Sequence, residues 1–540
     1  MKYFKLIVLL LTISQSLLGQ TRWEASSQRQ GIQVEQWTVH DVVYTLKKMP
    51  TNPFDKNVTA TTIHGADTLQ IPLFYNGGKE WILRFSGKEP GTYGYTLSGD
   101  LPELRGRKGS FEVTKNTKAD RHGGVVVKKE DPKHFYYEDG TPYFNLAFEC
   151  DWLFALDHGQ KKLSKTDQLL STVAQNGFKQ VVMNVYSYDV SWKKDSLLAQ
   201  HPEHEYGGRE DIFPFLGSNK NPDFSALNVA FFQHLDRTMA SLHDKELVSH
   251  LMIYVWNKMV NWPDMDTHAD NLYYDYVIKR YQAYPNIMWD VSKEALYYGR
   301  ATAEYISERI QRARKLDAYN RLISVHSYSF CSKHPDEVDF ISSQDWSHPL
   351  YQKMLDAGKR FPNKPIFNIE HGGYEASPYE VFTGDYTDAE VCLRRNYMCL
   401  FAGSYTTYYW QGASWNAIIH NPFEQPASFP KPKFEYFAHM SALFKRYPFA
   451  NFQANLGKNS SGYNLTDPKN GITMMYMPKE NHSVMLLFLD LKEAPGHTMQ
   501  WFNTLTGAFT PEEPFVRAKA EISPWRGQAD TILIVKYGPS

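Results

Sequence analysis

The sequence predicts an α/β protein, a (β/α)₈ TIM barrel flanked by an N-terminal and a C-terminal β-sandwich. Two observations lead there. Residues 134–445 hold eight short, β-rich apolar runs that alternate with helical patterns. The segments on either side, 22–118 and 446–540, read as all β. A chain of 540 residues has room for three such units.

The elements follow in order. Residues 1–20 place Lys2 and Lys5 before a short apolar core at 6–13 and end near Gly19 and Gln20. That is a secretory signal pattern, too short to span a membrane, and it predicts an exported, periplasmic or extracellular protein. No later stretch is apolar enough for a membrane span. Alternating runs at 42–46, 69–73, 81–85 and 93–97, separated by turn signals such as Asn76-Gly77-Gly78, make the first sandwich. A charged stretch at 115–122 reads as a linker. The eight barrel strands are predicted at 143–147, 180–184, 249–254, 287–291, 322–326, 339–343, 365–369 and 405–410. Helices are predicted at 166–176, 227–245, 271–284 and 301–316. A doubly wound sheet is the alternative, but the turn at 148–152, FECDW, lacks the glycines of a nucleotide site. Runs at 471–477, 484–489 and 499–502 make the second sandwich.

Composition narrows the chemistry. Fifty-eight basic and 59 acidic residues give a net charge of −1, which argues against a nucleic-acid partner. Aromatic residues reach 15%, which suits sugar stacking as well as large cores. The four cysteines, Cys150, Cys331, Cys392 and Cys399, are scattered and read as buried free thiols.

A parallel barrel carries its active site at the carboxyl ends of its strands. There the sequence offers Glu149, Asp151 and Trp152 after strand one, Asn184 and Tyr186 after strand two, and Trp256 and Asn257 after strand three. Strand four offers Asp290, Lys293 and Glu294, and strand five His326 and Tyr328. Strands six to eight offer Gln344, Asp345 and Trp346, then Glu370 and His371, then Trp410 and Gln411. The ring lacks G-x-S-x-G, H-E-x-x-H, C-x-x-C and phosphate-loop patterns. His201, His204 and His371 do not share the spacing of a metal site, so neither metal nor cofactor is expected. Paired carboxylates between aromatic walls suit glycosidic cleavage, with one protonating the leaving oxygen and one attacking or stabilising the sugar centre. Glu294 and Glu370 are the leading catalytic pair. Asp290 is an alternative acid or a structural partner. Asp151, Trp152, Asn184, Trp256, Lys293, His326, Trp346, His371 and Trp410 are candidate carbohydrate contacts. A non-catalytic glycan-binding or matrix-binding protein on the same scaffold is the rival class. Oligomeric state is not legible.

These motifs resemble clan A glycoside hydrolases, in which Lys-Pro and an apolar run lead to a strand-seven glutamate, as Lys364-Pro365 leads to Glu370 here. They are more closely similar to apiosidase-like hydrolases. The matching features are Gly140-Thr141-Pro142-Tyr143-Phe144 with Asp151-Trp152, an acid five residues after Trp289, Tyr374-Glu375 after Glu370, and Trp501-Phe502-Asn503-Thr504-Leu505-Thr506-Gly507. The resemblance implies an N-terminal β-sandwich, a barrel and a C-terminal β-domain of the type labelled collagen-binding. It also implies Glu294 as acid/base and Glu370 as nucleophile; burial and the neighbouring carboxylate predict a raised pKa for the acid. Lys293 stands where clan A enzymes carry asparagine. It could suit an acidic sugar, tune Glu294, or be a solvated surface lysine.

Overall fold

The computed structural model describes residues 21–24, 31–189, 202–256, 258–371, 389–409, 432–455, 463–485, 496–516 and 520–538. The predicted signal segment and Trp410 lie outside the described residues, as do Asn257, Gln411, Tyr374 and Glu375. The chain divides at 115/116 into two compact units.

The first unit pairs a five-stranded sheet with a four-stranded one. In the strand Gly91–Gly99, Tyr93, Tyr95 and Leu97 are buried while their neighbours face out, the period of a half-buried strand. The two sheets meet where Phe85 stacks on Phe111 at 4.0 Å and the Tyr44 and Tyr95 hydroxyls lie 2.8 Å apart. A buried, two-pronged bond from Arg84 to Asp41, at 2.8 and 2.9 Å, links adjacent strands of the four-stranded sheet.

The second unit is built on eight parallel strands: β1 (Leu146–Glu149), β2 (Gln180–Asn184), β3 (Val248–Val255), β4 (Ile287–Lys293), β5 (Ile323–His326), β6 (Ile341–Gln344), β7 (Ile366–Glu370) and β8 (Tyr405–Tyr408). Their spatial order is β5-β4-β3-β2-β1-β8-β7-β6. No ladder joins β5 to β6. The Asp339 amide instead donates to the Ile323 carbonyl and the Ser324 hydroxyl to the Phe340 carbonyl, both at 2.9 Å, closing the cylinder. The helices α1 (Ser164–Gln175), α2 (Val229–Asp244), α3 (His268–Tyr281), α4 (Ala303–Leu316), α5 (Tyr328–Lys333), α6 (Leu350–Arg360), α7 (Ala389–Phe401) and α8 (Phe434–Arg446) alternate with the strands. Side-chain caps from Asn228, Thr267, Thr302 and Ser327 start four of them.

The first strand begins three residues later than the sequence predicts, which makes Glu149 its last residue. The apolar run at 143–147 opens with Tyr143, which packs instead against Phe135 and Tyr137 of the hairpin Val125–Lys128/Asp131–Tyr137. Phe135, fully buried, meets Phe340 and Tyr405 at the amino-terminal end of the barrel. Inside the barrel, His250 pairs with Asp290 at 3.0 Å, and Asp290 also accepts the amides of Ser292 and His326. Asp290 is thus a structural partner within the barrel. All four cysteines are free and buried.

The C-terminal β-region is a six-stranded sheet facing a two-stranded ribbon. One face forms a core around Met475, Met477, Trp501 and Leu533. The other packs on α7, where Tyr476 stacks on Tyr397 at 5.3 Å. Arg394 of α7 makes two 2.8 Å bonds to Asp530, which also accepts the Lys479 amide and the Tyr476 hydroxyl. Breaking a buried pair by removing one partner strands the other charge. Arg394→Leu is therefore expected to destabilise this unit by about 3 kcal/mol, measured by denaturant unfolding.

Candidate active site

The site gathers the last residues of five strands. Glu149 ends β1, Lys293 ends β4, His326 ends β5, Gln344 ends β6 and Glu370 ends β7. Asp151 and Lys258 join from the turns after β1 and β3. Two irregularities aim these side chains. The β4–β5 register shifts between Asp290 and Lys293, and the β6–β7 register shifts between Ser343 and Gln344. Such bulges re-aim side chains at barrel rims. Glu294 follows the first bulge with φ of +58°, a left-handed conformation that a glutamate holds only at a cost. The turn after it is fixed by three backbone bonds: the amides of Tyr298, Gly299 and Arg300 donate to the carbonyls of Glu294, Leu296 and Ala295.

Gln344 bridges the two candidate glutamates. Its side-chain nitrogen donates to Glu294 Oε1 at 2.6 Å and to Glu370 Oε1 at 3.1 Å. Those oxygens are therefore no more than about 5.7 Å apart, the sum of the two bonds. Beneath the pair, Lys293 Nζ lies 2.6 Å from Glu370 Oε2, 2.8 Å from Glu149 Oε1 and 3.3 Å from Asp151 Oδ2. Lys258 Nζ meets Asp151 Oδ2 at 3.1 Å and sits over the Trp152 ring at 5.8 Å.

Burial sets the charges of this cluster. It works against the Lys293 ammonium, but the Asp151, Glu149 and Glu370 carboxylates outweigh it and hold Lys293 well above the usual lysine range. Burial pushes the Glu149 carboxyl well up against the pull of Lys293. Burial also opposes the Asp151 charge, yet Lys293 and Lys258 together hold that carboxyl well below the ordinary range. Burial raises Glu370 to about 7; Lys293 opposes the rise and the Glu294 charge adds to it. His326 lies 3.5 Å from Glu370, and burial beside Lys293 keeps its ring neutral.

The other sequence candidates sit as follows. Trp152 is fully buried, with Phe154 as a tilted neighbour at 6.2 Å. Asn184 is buried and donates to the Ser187 hydroxyl at 2.5 Å, and its own carbonyl oxygen has no hydrogen bond among the described residues. Trp256 stacks on Tyr254 at 5.5 Å, and its indole N–H has no partner among the described residues. Trp346 packs edge-on to Tyr409 at 4.8 Å. Lys293 is 1% exposed and ringed by carboxylates, so it is not a solvated surface lysine. His371 turns into the helix layer: its Nε2 pairs with the Thr406 hydroxyl at 2.8 Å, and that hydroxyl donates to Asn396 of α7 at 2.8 Å. Its position just past a strand end left either direction open. Sequence reasoning placed Gln344 at the mouth without a role and missed Lys258, whose partner lies across the barrel rim rather than along the chain.

Comparison with known proteins agrees with this architecture. Residues 129–450 match the family model described as apiosidase-like, catalytic domain, and residues 33–100 match a domain of unknown function, DUF5060. No curated protein matches the chain. Among solved structures, a Bacteroides vulgatus ATCC 8482 protein assigned provisionally as a glycoside hydrolase is similar over 94% of this chain and 100% of its own, with TM-score 0.74 and 18% identity. A family 5 glycoside hydrolase from the same organism matches 77% of this chain and 94% of its own, with TM-score 0.53 and 16% identity. At these identities the likeness is one of fold. The family match spans more than half the sequence and contains every residue of the carboxylate and lysine cluster. The chain therefore belongs to the apiosidase-like family of glycoside hydrolases, and its barrel is that family's catalytic domain.

Proposed function

We propose that the protein is an exported, retaining glycosidase acting on plant or algal oligosaccharides or polysaccharides, with Glu294 as acid/base and Glu370 as nucleophile. The observation that carries this reading is the Gln344 bridge. It keeps the two carboxylates within about 5.7 Å, near the ~5–5.5 Å of retaining enzymes and short of the ~6.5–9.5 Å of inverting ones. Glu370 attacks the anomeric carbon while Glu294 gives its proton to the glycosidic oxygen, so the leaving group departs as an alcohol. A glycosyl ester on Glu370 results. Glu294, now ionised, takes a proton from water, which attacks the anomeric carbon and frees Glu370. Protonation of Glu294 also removes one charge that disfavours ionised Glu370. Lys293 steadies the nucleophile's charge, and Gln344 holds both carboxylates in register.

Export is supported by the charged and apolar pattern of residues 1–20. No helix among the described residues is long and apolar enough to cross a membrane. Screening plant and algal oligosaccharides for released sugar tests the activity. Proton NMR of the fresh product tests the stereochemistry. Retained configuration is expected; glycan binding without turnover would favour the non-catalytic rival.

The elevated Glu370 carboxyl gives two pH signatures. A nucleophile must be ionised, so the acid limb of kcat/KM is expected to rise with pH through about 7. For stability the sign reverses. A carboxyl whose pKa is raised by folding favours the folded state below its unfolded value near 4.5. That contribution is lost as pH rises through about 7. Denaturant midpoints across this range check it.

A further inference from the structure

The reaction assigned above, on which this inference rests, has two sides. The acid/base glutamate faces the departing group, so side chains around Glu294 border the space that group leaves through. The sequence there is unusual for a surface turn. Tyr297 and Tyr298 are 84% and 44% exposed, and their rings meet edge to face at 5.1 Å. They do not hang on a loose loop. The Tyr298 amide donates to the Glu294 carbonyl at 3.1 Å, and the neighbouring Gly299 and Arg300 amides bond back to Leu296 and Ala295. The turn that strains Glu294 into place therefore fixes Tyr298 in the same rigid unit. Burial raises the Tyr298 hydroxyl above the usual tyrosine range, and the Glu294 and Glu370 charges add to the rise, so the phenol lies within electrostatic reach of the carboxylate pair.

Other loops at this end of the barrel also expose apolar side chains. Among the described residues, nine large apolar side chains are exposed. Five of them, Leu216, Met259, Met265, Tyr297 and Tyr298, lie in the loops that follow β2, β3 and β4. These loops belong to the barrel end that holds the carboxylates. An exposed tyrosine offers an apolar face with a polar tip, the form that suits the C–H face and hydroxyl edge of a sugar ring. A pre-ordered ring spends little entropy on binding.

The geometry points to Tyr298, flanked by Tyr297, as the platform for a sugar unit on the leaving-group side of the scissile bond. The leaving group is then itself a carbohydrate, not a small alcohol, and Tyr298 sets that preference.

The test uses the full-length protein and compares two substrates of the same glycosyl unit. One is the oligosaccharide turned over in the panel screen. The other is the matching methyl glycoside, whose leaving group needs the same proton from Glu294 but is too small to reach a platform. Tyr298→Ala is expected to lower the ratio of kcat/KM for the oligosaccharide to that for the methyl glycoside by roughly tenfold, and Tyr298→Phe to restore most of it. Equal losses on both substrates would overturn the platform and show that the ring only supports the Glu294 turn, with the hydrolase reading intact. Failure of every panel sugar and methyl glycoside to react with the unaltered protein would overturn the hydrolase reading and the platform with it.

Discussion

Glu370→Gln is expected to lower turnover by at least ~10⁴-fold while leaving the fold and sugar binding largely intact. The amide keeps the shape of the carboxyl but cannot attack the anomeric carbon. Lys293 retains Glu149 and Asp151 as partners, so the cluster beneath is not stranded. The checks are steady-state kinetics for the chemistry, near-UV circular dichroism for the packing and calorimetry for binding. Azide should restore activity to Glu370→Gly, because a small anion can enter the space left by the side chain and take the nucleophile's place. Full activity in Glu370→Gln would remove this residue from the mechanism.

Lys293→Met is expected to cause the largest loss of stability, about 3–5 kcal/mol by chemical denaturation. The ammonium sits within 3.3 Å of three buried carboxyl groups, and among the described residues only Asp151 has a second lysine. Protonation of Glu149 and Glu370 relieves part of the deficit, so the loss should grow as pH rises through about 7, where Glu370 ionises. Lys293 draws the Glu370 carboxyl down. Without it, the acid limb of kcat/KM should move to higher pH, a shift that simple unfolding would not produce.

Much of the arrangement was legible because a parallel barrel converts position into function. An acidic residue at the end of an apolar strand is costly to bury unless it is used or paired, and that singles out Glu370 and, just past its strand, Glu294. The repeated β and α runs gave the closed sheet for the same reason. The limits lie where contacts run across the barrel. The first strand slides to Leu146–Glu149 because Tyr143 is claimed by the hairpin that plugs the barrel, a partner no local pattern reveals. The sequence leaves Lys293 open between a sugar contact, a group tuning Glu294 and a surface lysine, until Glu149, Asp151 and Glu370 converge on it. Lys258 carries no periodic or motif signal; its meaning comes from Asp151 on a different turn. The strained backbone of Glu294 is likewise invisible in sequence, since nothing in a glutamate announces positive φ.

The most direct measurement is to trap the intermediate. A 2-deoxy-2-fluoro glycosyl fluoride of the sugar released in the panel screen forms the glycosyl ester but slows its hydrolysis, and mass spectrometry of the digested protein then locates the label. A label on the peptide containing Glu370, absent in Glu370→Gln, is the expected result. A label on another carboxylate, or inactivation-free turnover that gives the inverted sugar, would contradict the pairing of Glu294 with Glu370.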